Sequence, residues 1–311
     1  MSRINISPPL LNTSSPWATT QDDLAKLYSL SSTGAVATRT SLLYDGFPDD
    51  PSIHQHAFIS PSSSINSYGY SPHPLKYYLS SIESIIKSSG QPQKKPFIIS
   101  VTGPPSVVSI CVNEISEWAH KESISAYAEI NLSCPNIPND PPPAYSESDL
   151  KDHLSELQAL QHKSEVPIVP IGFKTPPYTY QHQFDKLVSA LEAYPGVVSF
   201  ITATNTLGNS LLLADGGLDP IIASASGTGV GGLAGGSIHP LSLGNVFTIR
   251  KMLDKSSKRE IQDIVIIGAG GVSDVHGYQR MRKVGAVAVG LATALGSRGV
   301  EIFDEILKLG E

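Results

Sequence analysis

Short apolar, β-branched runs bounded by Gly, Pro or Ser alternate along this chain with stretches of helical spacing, and that alternation constrains the fold more than any other feature. Strands are expected over residues 34–38, 97–101, 127–131, 167–173, 198–202, 264–268 and 286–291, with a weaker candidate at 57–65. Helices are expected over residues 20–29, 75–87, 106–120, 146–162, 180–193, 241–253, 277–284 and 300–309. Ile264-Val265-Ile266-Ile267 is apolar at consecutive positions, which suits a parallel strand covered on both faces. The reading is an α/β protein, with seven or eight strands approaching a (β/α)8 TIM barrel; a doubly wound sheet is the alternative.

At 311 residues a soft prior suggests about two domains, but α/β barrels of ~250 residues and more form one. No linker or internal repeat divides the chain, so residues 1–311 are read as one domain, with residues 138–143 a Pro-rich loop. Lys and Arg number 22 against 28 Asp and Glu, and a net charge of −6 offers no field for nucleic acid or an anionic membrane surface. No long apolar run or N-terminal signal core is visible, so a cytoplasmic protein is expected. Two cysteines, Cys111 and Cys134, without a CxxC pair indicate neither a disulfide framework nor a structural metal. Cys111 falls on an expected helix and reads as core.

Two glycine clusters invite a phosphate. Gly227-Thr228-Gly229-Val230-Gly231-Gly232 satisfies GxGxxG, yet it lacks the preceding strand and following helix of a dinucleotide fingerprint, so a ligand-covering loop is favoured. Gly268-Ala269-Gly270-Gly271 directly follows an expected strand, and Ala292-Thr293 closes the next one. Two successive βα turns able to donate N–H groups near the C-terminus match the phosphate site of many barrels.

The most specific stretch is Asn131-Leu132-Ser133-Cys134-Pro135-Asn136, just past a strand end, where a thiol in a Pro-bounded loop is available for chemistry and two amides can read a polar planar ligand. Lys174, Arg39 and the amide- and hydroxyl-bearing runs Asn66-Ser67-Tyr68-Gly69 and Asn205-Thr206-Leu207-Gly208-Asn209 also sit at or beside strand ends. His54-Gln55-His56 is a weak metal candidate and reads better as an exposed loop.

Together these motifs resemble dihydroorotate dehydrogenase of the cytosolic, fumarate-reducing class 1A, from about Ile6 to Leu309. Cys134 carries much of that likeness, since the membrane-bound class has serine there. The resemblance implies a TIM barrel with FMN at its C-terminal mouth, dihydroorotate and fumarate as substrates, a place in pyrimidine biosynthesis and a homodimer. It implies Cys134 as the general base, and a substrate site of Arg39, Asn66, Ser67, Tyr68, Gly69, Asn131, Asn136, Asn205 and Thr206. It places FMN against Ser14, Arg39, Thr40, Asn131, Lys174, Thr204 and Gly235, with Gly270, Gly271, Ala292 and Thr293 at its phosphate. A thiol ionises near ~8.5, so the rate should rise with pH until it does.

Departures cluster on the substrate side. Arg39 stands where the family has lysine, Thr206 where it has serine, and Tyr68 and Tyr70 where aliphatic residues are usual; Ala292 replaces a glycine, and Pro16-Trp17 is bulky. An FMN oxidoreductase acting on another cyclic substrate, or a barrel that binds FMN or phosphate without turnover, are therefore the alternatives.

Overall fold

Successive residues of the central strands face two different cores, and this parity builds the architecture. The computed structural model describes residues 4–90, 92–93, 95–137 and 141–308. The strands, in chain order, are β1 (Leu10–Asn12), β2 (Val36–Ala37), β3 (His56–Ser60), β4 (Ser63–Asn66), β5 (Phe97–Val101), β6 (Ala126–Asn131), β7 (Ile171–Thr175), β8 (Phe200–Ala203), β9 (Leu207–Ser210), β10 (Gly231–Gly235), β11 (Val265–Ala269) and β12 (Ala288–Leu291). Eight of them pair in parallel in the order β1-β12-β11-β8-β7-β6-β5-β2. A parallel bridge between Leu11 and Ala35 joins β1 to β2 and closes the ring. The chain is a (β/α)8 barrel.

Leu10, Ile99, Ile130, Phe173, Ile201 and Val289 point outward into a core shared with helix residues such as Ile82, Val112, Leu157, Leu187 and Ile249. Their neighbours Leu11, Ile98, Tyr127, Phe200, Ile267 and Ala288 point inward and form a separate apolar plug. Gly172 faces inward too, because a Cβ there would lie 2.2 Å from the Phe200 ring. Two residues along, the inward positions turn polar: Ser100, Glu129, Thr202 and Lys174 are all buried. The barrel is thus apolar below and polar at its mouth.

All eight expected helices form, most within two residues of the reading, from Gln21–Ser29 to Glu301–Lys308. Their starts have local causes: Thr20 and Asp23 make a capping box, Ser146 caps Glu147–Lys163, and Pro105 opens Pro105–Glu122. The last residue of the expected 300–309 helix, and part of the 138–143 loop, lie outside the described residues.

One expectation needs correction. The eighth barrel strand is β1, which is only three residues long, whereas the 57–65 segment is the antiparallel β3–β4 hairpin. That hairpin joins β10 and β9 in a separate four-stranded sheet beside the barrel mouth. The GxGxxG segment runs into β10, paired with β4 and β9, and opens no α-helix, so it is no dinucleotide fingerprint.

Candidate active site

A cleft of about 1070 Å³, open at its mouth, lies at the C-terminal ends of the barrel strands and is walled on one side by the four-stranded sheet. Ser14, Arg39, Thr40, Asn66, Tyr68, Gly69, Asn131, Cys134, Asn136, Lys174, Thr204, Asn205, Thr206, Gly235, Gly270, Gly271, Ala292 and Thr293 all line it. Ser67 does not. Its buried hydroxyl donates to the Ile53 carbonyl at 2.8 Å and accepts from the Gln55 N–H at 3.0 Å, tying the β4 end to the segment before β3.

The loop carrying Cys134 is shaped by Asn131. The Asn131 carbonyl oxygen Oδ1 accepts from the Ser133 backbone N–H at 3.2 Å and from the Ser133 hydroxyl at 2.9 Å, an Asx turn that carries the chain into Cys134. Asn205 donates to Ser133 Oγ at 3.0 Å, while Asn136 donates to the Tyr68 carbonyl at 2.9 Å and to Asn66 Oδ1 at 3.2 Å. Four asparagines, from the ends of β4, β6 and β8 and from the loop after β6, thereby line the cleft together with a half-buried thiol. Cys111 is different in kind: it is fully buried in Pro105–Glu122, where burial and then Glu114 push its thiol up to about 12.

Lys174 rises from β7 beside Asn131, its pairing partner on β6. It is only 4% exposed, and its ammonium donates to the Ser14 carbonyl at 3.3 Å. Among the described residues no carboxylate lies within 4 Å of it. Burial holds the Lys174 pKa below the ordinary lysine value, with Glu129 and then Cys134 acting the other way.

The glycine end is compact. Gly270 and Gly271 follow β11 with φ of +124° and +75°, and a Cβ on Gly271 would stand 2.5 Å from the Gly235 carbonyl oxygen. Asp274 caps the helix that follows, Val275–Lys283, by accepting from Gly277 N–H, so one amide of that helix end already has a partner. The short helix Thr293–Arg298 starts at the cleft wall without a side-chain cap. Gly270, Gly271, Ala292 and Thr293 line the cleft, and no residue of Val275–Lys283 does.

The opposite rim joins the expected Arg39 and Tyr68 to Asp49 and His56. Arg39 is 5% exposed and pairs with Asp49 at 3.0 Å, with its guanidinium 5.3 Å from the Tyr68 ring centre. Burial raises the Tyr68 phenol above its usual value, against the pull of Arg39, and its hydroxyl meets His56 Nδ1 at 3.0 Å. His56 lies edge-on to Trp17, which stacks on Phe58. His56 is thus part of an aromatic wall, and among the described residues no three His, Cys, Asp or Glu side chains gather where a metal could sit. Pairing of Arg39 with Asp49 joins two loops, which no local pattern announces.

The model of the dihydroorotate dehydrogenase family matches residues 4–309. The chain is 31% identical over 246 residues to "Putative dihydroorotate dehydrogenase A (fumarate)" of Streptococcus pyogenes serotype M5 (strain Manfredo), covering 79% of this chain and 71% of the relative. A protein of the same name from Streptococcus uberis (strain ATCC BAA-854 / 0140J) is 29% identical over 304 residues, 97% of this chain and 88% of the relative. With the thiol loop, the buried lysine and the glycine turns meeting in one barrel mouth, the chain belongs to the dihydroorotate dehydrogenase family, on the side of its fumarate-dependent enzymes.

Proposed function

We propose that the cleft binds FMN and oxidises dihydroorotate to orotate, with fumarate returning the flavin to its oxidised form at the same site. The observation that carries this reading is Lys174: a buried ammonium with no carboxylate at ion-pair distance among the described residues suits an electron-rich ring or anion in the cleft. Bound there, FMN supplies the acceptor for the hydride leaving carbon 6 of dihydroorotate and the donor for fumarate.

The chain's own residues do the rest. Cys134 as thiolate takes the proton from carbon 5 and, as thiol, returns one to fumarate. Asn66, Asn131, Asn136 and Asn205, already oriented by one another, read the edges of the pyrimidine with Thr206. Arg39, Tyr68 and Gly69 bound the substrate side. Ser14, Thr40, Thr204 and Gly235 flank the flavin, Lys174 stabilises negative charge on its reduced ring, and Gly270, Gly271, Ala292 and Thr293 hold its phosphate. In this reading residues 1–311 act as one FMN-binding domain in pyrimidine biosynthesis, as a cytoplasmic homodimer. No helix among the described residues is long and apolar enough to cross a membrane.

A second reading, an FMN oxidoreductase for a less anionic cyclic substrate, draws on the Arg39–Asp49 pair, because a ligand carboxylate must share a guanidinium already neutralised. One experiment separates the readings. FMN-loaded protein is mixed anaerobically with dihydroorotate: bleaching followed by recolouring with fumarate supports the first, and bleaching only by uncharged dihydropyrimidines supports the second. A protein that takes up no FMN overturns both.

A further inference from the structure

Below the cleft the barrel encloses a carboxylate that the reaction leaves unused. Glu129 projects inward from β6, one inward position below Asn131, and is 2% exposed. Its Oε1 accepts from Ser100 Oγ at 3.0 Å and its Oε2 from Thr202 Oγ1 at 2.6 Å. A carboxylate accepts and cannot donate, so the single Ser100 proton is committed to Glu129. The 3.0 Å contact between Ser100 and Thr40 hydroxyls therefore has Thr40 as its donor. With that proton used, the 2.9 Å contact between Ser14 and Thr40 has Ser14 as its donor. Asn131 Nδ2 donates to the same Thr40 oxygen at 3.0 Å. Thr40 then gives one proton and receives two, which completes its capacity.

Each hydroxyl in this chain is ambiguous when taken singly, and the carboxylate at its foot removes the ambiguity from all of them. We infer that Glu129 is a positioning residue: by accepting from Ser100 it fixes the direction of the hydrogen bonds running through Thr40 to Ser14, so that Ser14 faces the cleft with its acceptor lone pairs, while Asn131, its amide already oriented by Ser133, donates to the same Thr40. The inference rests on the FMN reading above, since Ser14 and Asn131 are the groups that reading sets against flavin and substrate. Glu129 reaches neither ligand. Its hydrogen-bond route to Ser14 runs through Ser100 and Thr40, and its charge also acts on Lys174, so the two routes have to be told apart.

The test is a double-mutant cycle on the FMN-loaded full chain, read by two equilibrium signals: FMN dissociation followed by flavin fluorescence, and orotate binding followed by the flavin absorbance shift. Glu129→Gln replaces the pure acceptor by a group that also donates, and Ser100→Ala cuts the chain while leaving the carboxylate in place. Each single change is expected to weaken the two affinities by about tenfold, the scale of a misdirected buried hydrogen bond. Read at a pH low enough to keep Lys174 protonated in every variant, so that the support Glu129 gives that charge does not enter, the double variant is expected to match Ser100→Ala within about twofold. Effects that multiply in the double variant, or affinities unchanged in Glu129→Gln, overturn the inference while leaving the FMN reading intact. Wild-type protein that binds no FMN overturns both. Should Glu129→Gln fail to fold, Ser100→Ala alone decides: unchanged FMN and orotate affinities would contradict the relay, and weakening in a protein of unaltered melting temperature supports it.

Discussion

The two ends of the cleft hold their cations in opposite ways. Lys174, on the side proposed for the cofactor, is buried with a carbonyl as its hydrogen-bond partner, whereas Arg39, on the side proposed for the substrate, has Asp49 at 3.0 Å and Tyr68 beneath it. A buried charge without a counter-ion is costly, so the Lys174 end is completed by whatever electron-rich group occupies it. The Arg39 end is balanced before any ligand arrives. On the proposed function, the Lys174 half suits a resident, while the Arg39 half makes each anionic visitor compete with an internal carboxylate.

That contrast can be broken in order of expected effect. Cys134→Ser should lower flavin reduction by dihydroorotate by about 10²–10⁴-fold near neutral pH, measured by anaerobic stopped flow, with FMN content unchanged. Gly271→Ala acts on the resident's end alone: a side chain at φ +75° against the Gly235 carbonyl costs about 1–3 kcal/mol. FMN affinity should fall roughly 10- to 100-fold on the scale of that cost, read by fluorescence, and an unaltered affinity would remove this turn from the phosphate site.

Asp49→Asn should have a smaller and opposite effect. Freed of its counter-ion, Arg39 should bind orotate more tightly by about threefold to tenfold, on the scale of a partly exposed ion pair, and salt should reduce the gain. Uracil, which lacks the carboxylate, should bind Asp49→Asn and wild type alike; equal gains for both would show that Asp49 acts through shape.

The smallest effect is pH-dependent and its sign follows from Lys174. Because burial lowers its folded pKa, the folded protein without ligand loses this proton at lower pH than the unfolded chain does. Between the lowered value and ~10.4 the unfolded state holds more protons, so this group's contribution to stability improves as pH rises. FMN affinity should move the other way and decline by a few fold through the same window, since the charge that favours the ligand is being lost. Lys174→Met should abolish that decline in a fluorescence titration across pH.

Much of this was legible from residue order alone because two-sided burial writes itself as consecutive apolar residues. Ile264-Val265-Ile266-Ile267 shows it plainly, with Ile266 outside the barrel and Ile267 inside. β1 escaped because three residues behind Pro8-Pro9 carry no measurable period. Lys174, the Cys134 loop and the glycine turns stood out through their place at strand ends. Glu129 did not stand out, although it follows Tyr127 by two in the same strand and must share its inward face. What period could not reveal was pairing across loops: Asp49 with Arg39 and His56 with Tyr68 meet only once the β3–β4 hairpin folds beside the mouth. Ser67 shows the converse, a polar residue inside a site motif whose side chain serves the backbone.

The central claim is tested most directly by anaerobic reduction of FMN-loaded wild type and Cys134→Ser with dihydroorotate across pH. The account predicts that wild-type flavin bleaches faster as the thiol ionises and that the serine variant, equally loaded with FMN, is slower by at least about a hundredfold near neutral pH. Bleaching at the wild-type rate in Cys134→Ser, or none in wild type at any pH, would contradict it.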